Sequence, residues 1–148
     1  MALKSPGDSR VHVRAGAGVR PAVGWQVLSA LFLLAMAGIH LYLVLDEVGG
    51  TLGMLFVLNA IGGLVLAIAV VVLRGQLLLL AAALSTLFMA GTLLGLILAL
   101  TVGLFGIHEV LSYQLVPTTL VVESIGTVVL AITTVLLSRS LRGTRRRA

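Results

Sequence analysis

Residues Thr51–Ile107 read TLGMLFVLNAIGGLVLAIAVVVLRGQLLLLAAALSTLFMAGTLLGLILALTVGLFGI, and Arg74 is the one charged side chain among them. A helix needs about 20 apolar residues to cross roughly 30 Å of hydrocarbon. Thr51–Leu73 meets that length before Arg74, and Gln76–Ile107 exceeds it. The turn Arg74-Gly75-Gln76 is so short that the two helices must be adjacent and antiparallel. Neither run shows the alternation of a barrel strand, and unpaired backbone cannot sit in lipid, so both read as helices.

The same reading extends outward. Val23–Leu45 is an uncharged run on the N-terminal side, and Val116–Ser138 on the C-terminal side carries one charge, Glu123. Asp46–Gly50 is another short connection. The expected fold is an all-α membrane protein, an up-down bundle of four transmembrane helices with spans of about 23–45, 51–73, 76–103 and 116–138. Residues 1–22 and 139–148 form basic tails around this domain of residues 23–138. The third run would be about 48 Å of straight helix at 1.5 Å per residue. It must tilt, or stop near Leu100–Gly103, or both; Gly103 and Gly106 suit a break, which would leave Leu104–Val116 at the interface. Pro117 suits the first helical turn, where its missing N–H costs nothing. Val27–Ala37, with Ala35-Met36-Ala37 resembling a cleavage site at its end, reads as a signal-peptide core, but the apolar run continues to Leu45, which is too long for one.

Composition excludes the other classes. Of 148 residues, 59% are hydrophobic and 10% charged, with a mean hydropathy of +1.19. About 25% charge is usual for a soluble domain. So few charges can neither cover a soluble fold nor keep a chain disordered. The net charge of +5 does not imply nucleic acid, because of where it sits. Lys4, Arg10, Arg14 and Arg20 precede the first span, Arg74 lies in the second connection, and Arg139, Arg142, Arg145, Arg146 and Arg147 follow the last. With four spans these share one side, while Asp46, Glu47 and Glu109 fall on the other. Basic residues flank spans on the cytoplasmic side and attract anionic headgroups. Both termini are therefore expected to be cytoplasmic, in a bacterial inner membrane. There is no cysteine, which removes disulfides and thiolate chemistry. Trp25, Tyr42 and Tyr113 read as interface anchors.

Lipid is as apolar as Leu, so spans associate through close backbone approach and polar contacts. Gly91, Gly95, Ala99 and Gly103 form a small-residue stripe, expected to pack against a neighbour in the bundle or in a second protomer. Gly62 and Gly63 lie one turn from Asn59. On the fourth span Thr119, Glu123, Gly126, Thr127, Leu130 and Thr134 share a face, expected to point inward because lipid-facing Glu is costly.

The candidate site is a set of polar residues near the outer face. Counted at 1.5 Å per residue, His40 and Glu123 lie about 9 Å and Asn59 about 12 Å below the outer ends of their spans. His108 and Glu109 lie at the same boundary. Glu123 could carry a proton, pair with an imidazole or bind a metal. Its plainer role is a protonated carboxyl hydrogen-bonded to another helix. His40, His108 and Glu123 could hold zinc or copper, and the two imidazoles could ligate haem. Met36, one turn from His40, would suit a soft metal, although Met on an apolar helix usually only packs. Asn59 reads as structural glue. No catalytic motif stands in a fitting context.

The runs GIHLYLV at 38–44, FVLNAIGGLVLAIAVV at 56–71, LTVGLFGIHE at 100–109 and LVVESIG at 120–126 resemble small four-span integral membrane proteins of high-GC Gram-positive bacteria. That resemblance implies the span count and no activity. Small multidrug transporters share the span count but carry their working Glu in the first helix, whereas here it lies in the fourth. Three functions stay open: a non-enzymatic accessory or structural protein, in a homo-oligomer or larger membrane complex; a metal or haem protein using His40, His108 and Glu123; and a proton-coupled transporter using Glu123.

Overall fold

The computed structural model describes residues 19–46, 49–103, 111 and 115–145. They form four helices: α1 Val19–Leu45, α2 Gly50–Val72, α3 Gly75–Thr101 and α4 Val116–Arg145. All four are long and apolar enough to cross a membrane, which makes the chain a multi-pass membrane protein. The His108-Glu109 pair and Tyr113 lie outside the described residues.

The helix ends follow local chemistry. The α2–α3 turn is closed by Gly75 at φ 60°, a left-handed conformation natural to glycine. Arg74 caps α2 there, with Nη1 donating to the carbonyls of Val71 at 2.6 Å and Leu73 at 2.7 Å. A cation at a helix C-terminus also opposes the negative end of the helix dipole. α3 stops at Thr101, where Gly103 at φ 82° turns back and its N–H reaches the Leu98 carbonyl at 2.9 Å. That closure matches the glycine-terminated helix end. α4 does not end at Ser138 but continues to Arg145. No proline follows Pro117, and the arginines of the last turns favour the helix C-terminus.

Each helix packs against its neighbours in a ring, α1 against α2 and α4, and α3 against α2 and α4. Side-chain pairs set an antiparallel register. Ser29 meets Thr133, and Phe32 meets Gly126, across α1 and α4. Met36 and Ala37 meet Gly63 across α1 and α2; Phe88 meets Gly62 across α2 and α3; Met89 meets Gly126 across α3 and α4. The shared core comprises Leu33, Met36, Ala67, Val70, Leu78, Met89 and Leu130. Large apolar side chains such as Leu31, Ile68, Leu87 and Val128 face outward, as lipid contact requires.

Glycine makes room for a neighbouring helix at three described places, against side chains at Gly62 and Gly126 and against backbone as well at Gly63. A Cβ on Gly63 would lie 3.0 Å from Met36 Cε and 3.2 Å from the Leu33 carbonyl oxygen. On Gly62 it would lie 2.8 Å from Phe88 Cζ, and on Gly126 3.1 Å from Met89 Cε. Gly91 differs: it is exposed, and nothing lies within 4 Å of where its Cβ would be. Ala99 is buried and Gly95 half-buried. Four-residue steps advance about 40° round a helix, so this stripe winds from the outer surface into the bundle.

Candidate polar site within the bundle

Four helices each bring a polar residue to one layer of the bundle. The contact register places it in the third nearest Asp46. His40 packs its ring edge-on to Phe56, with centroids 5.0 Å apart. Carried along from the Gly63 contacts, the α1–α2 register sets Asn59 level with residues 37–41. The α3–α4 register, with Met89 against Gly126 and Thr86 against Thr134, sets Thr92 level with residues 123–128. The α1–α4 register brings Glu123 level with residues 35–39. His40, Asn59, Thr92 and Glu123 thus lie within roughly 8 Å of one another along the bundle axis, at 1.5 Å per residue.

Sharing a layer does not make them partners. His40 is 5% exposed, and its Nδ1 lies 2.9 Å from the Met36 carbonyl. A carbonyl only accepts, so Nδ1 carries the proton and a neutral ring keeps its lone pair on Nε2. This bond is local to α1. It orients the imidazole without reaching another helix. Asn59 is half-buried.

Glu123 is the exception to the rule that buried polar groups are paired. It is 1% exposed, and among the described residues neither carboxyl oxygen has a hydrogen-bond partner. The nearby hydroxyls are committed elsewhere. Thr92 donates to the Met89 carbonyl at 2.9 Å, Thr127 to the Glu123 main-chain carbonyl at 2.7 Å, and Thr119 to the Leu115 carbonyl at 2.8 Å. Thr92 lies level with Glu123 across the α3–α4 contact, yet no hydrogen bond joins them. Gly126, one turn away, seats Met89 and Phe32 tightly beside it. The carboxyl therefore projects into a packed, largely apolar interior.

The inward face of α4 carries more polar groups than its spacing first suggests. Thr119, Glu123, Gly126 and Leu130 are buried, while Thr127 and Thr134 are half-buried. Thr133 is also buried. It donates to the Val129 carbonyl at 2.9 Å and so accepts from Ser29 at 2.9 Å, linking α4 to α1. Thr134 and Thr86 join α4 to α3 at 3.1 Å. Ser85 is buried, and its hydroxyl has no hydrogen-bond partner among the described residues. Sequence reasoning passed over Ser29, Ser85, Thr86, Thr92 and Thr133. Ser and Thr are common in apolar helices, where they bond their own backbone. The seven-residue spacing of Ser85 and Thr92 was the available signal.

Among the described residues, no three or more His, Asp or Glu side chains gather as a metal site would require. His108 and Glu109 fall outside that description. No protein-family model matches the chain, and neither does any curated protein or solved structure. The geometry alone carries the functional argument.

Proposed function

We propose that this protein is a non-enzymatic accessory or structural subunit of a bacterial membrane, with Glu123 as the chemically poised group among the described residues. The carrying observation is the carboxyl of Glu123, enclosed within the bundle with neither oxygen partnered among the described residues. An unpaired ionised carboxylate costs about 2.5 kcal/mol at the centre of a span, and one shut into a packed bundle without donors is penalised likewise. The group therefore works by holding a proton, and can exchange that proton when a partner or a conformational change opens the bundle. Intramembrane carboxyls are functional by default, which supports this over a purely structural role. Infrared difference spectra of the purified protein and Glu123→Gln test it. The wild type should show the carbonyl stretch of a protonated carboxyl, absent from the variant. A carboxylate signature in its place would overturn the proposal.

Assembly with further copies or larger partners is the other half of this reading, and the exposed start of the Gly91–Gly103 stripe supports it. Gly95→Leu should abolish association in a detergent gel; unchanged assembly would remove this surface from consideration. A second reading, metal binding, rests on His40. A Nδ1–H held by a carbonyl is the usual way a metal-ligating imidazole is oriented. Elemental analysis and titration with Zn²⁺ or Cu²⁺ would test it. A protein without affinity for either ion rejects that reading.

A further inference from the structure

The basic residues of the described helices gather at one end of the bundle. Arg20 opens α1, Arg74 closes α2, and Arg139, Arg142 and Arg145 occupy the last turns of α4. The α3–α4 register, set by Met89 against Gly126 and Thr86 against Thr134, carries Arg74 level with residues 141–146. Arg74, Arg139 and Arg142 are all exposed. Arg139 and Arg142 point about 60° apart on α4 and away from Leu137, which packs on the core. Arg74 is held in place by its two carbonyl bonds. No acidic residue lies in this part of the helices; the sequence puts Asp46 at the far end and Glu123 in the interior layer.

From this placement we infer that the α3–α4 corner at the basic end is a docking surface for the headgroup of an anionic phospholipid. Arg139 and Arg142 supply the charge and Arg74 a fixed third cation. The inference is independent of the role given to Glu123. Charge complementarity selects the occupant, because the helices emerge here into a headgroup layer whose anions outnumber any other fixed negative charge. Guanidinium groups pair with phosphate in bidentate fashion, which favours retention of a headgroup over diffuse attraction. Each such residue near a membrane surface contributes enough that losing two should cut the preference roughly thirtyfold.

The chain contains its own reporter. Trp25 is its single tryptophan, and the Trp25 carbonyl lies 3.4 Å from Thr133 Oγ1, about two turns from Arg139. The protein is reconstituted in phosphatidylcholine vesicles with trace dansyl-labelled phosphatidylglycerol or dansyl-labelled phosphatidylcholine. Energy transfer from Trp25 is then read for each probe. Transfer to the anionic probe should exceed transfer to the zwitterionic one and should fall with added salt. Arg139→Gln/Arg142→Gln should bring the two probes level, while Arg139→Lys/Arg142→Lys keeps most of the difference. Equal transfer to both probes in the wild type overturns the inference, as does a preference that survives the Gln pair. Loss of the preference on adding inorganic phosphate at matched ionic strength would show a free-anion site and overturn the lipid assignment.

Discussion

Among the described residues, the hydroxyls nearest the Glu123 carboxyl are spent on backbone. Thr92 serves Met89, Thr119 serves Leu115, and Thr127 serves the carbonyl of Glu123 itself. With no donor free among the described residues, an anion buried here would lose its hydration without a partner to replace it. A neutral side chain of the same shape should therefore be tolerated and a cation should not. Glu123→Gln is expected to change the unfolding free energy by less than about 1 kcal/mol, and Glu123→Lys to lower it by at least ~2.5 kcal/mol. Unfolding of the purified protein in a denaturing detergent titration measures both. A Gln variant as damaged as the Lys variant would mean that a negative charge is needed there. The oddity of Glu123 was legible in sequence, since it is the one charge within an apolar run. Its isolation was not legible. Isolation depends on which rotamers the threonines take, and their hydroxyls can choose between their own helix and a neighbour.

Between elements, packing turns on which glycines face a neighbour. Glycine frequency alone does not decide that. Gly62, Gly63 and Gly126 do, and Gly91 does not. The stripe on α3 looked the stronger motif because four-residue spacing is the known device for close approach. Spacing fixes a line on the helix, however, and the direction of that line depends on where the neighbouring helices sit. Gly63→Ala should cost about 1–3 kcal/mol, because its methyl meets the Leu33 carbonyl at 3.2 Å and backbone cannot move aside cheaply. Gly91→Ala should be neutral, or stabilising by up to about 1 kcal/mol from helix propensity. Thermal denaturation of the two variants in one detergent makes the comparison. Equal destabilisation would contradict this packing. The hydroxyl link from Ser29 to Thr133 is a second inter-element contact. A double-mutant cycle with Ser29→Ala and Thr133→Val should give a coupling near 0.6 kcal/mol, the average for such bonds in membranes. A coupling of zero would mean that the two hydroxyls do not meet.

For the whole molecule, two independent features bear on how the bundle lies in the membrane. An even number of antiparallel spans brings the start of α1 and the end of α4 to the same end. The described basic residues collect at that end, and Asp46 stands at the other. The span count was readable because four apolar runs are each bounded by charge or glycine. The extension of α4 beyond Ser138 was not, since Arg139 marks where hydrocarbon ends and says nothing about where a helix does. Flanking arginines set orientation during insertion, so the basic end is expected in the cytoplasm. The chain has no cysteine, and single cysteines can therefore report topology without a background to remove. In intact cells, an impermeant maleimide should label Gly49→Cys. It should reach Gln76→Cys and Ser140→Cys only after the membrane is opened. Labelling of all three from outside would reject the cytoplasmic placement of the basic end. Labelling of Gln76→Cys without Ser140→Cys would place the two on opposite sides and break the antiparallel bundle itself. Replacing Arg139, Arg142, Arg145, Arg146 and Arg147 together by Gln, with two Lys added beside Gly49, should send a fraction of molecules in upside down. That inversion would appear as external labelling at Gln76→Cys, and its absence would show that the N-terminal tail alone sets the orientation.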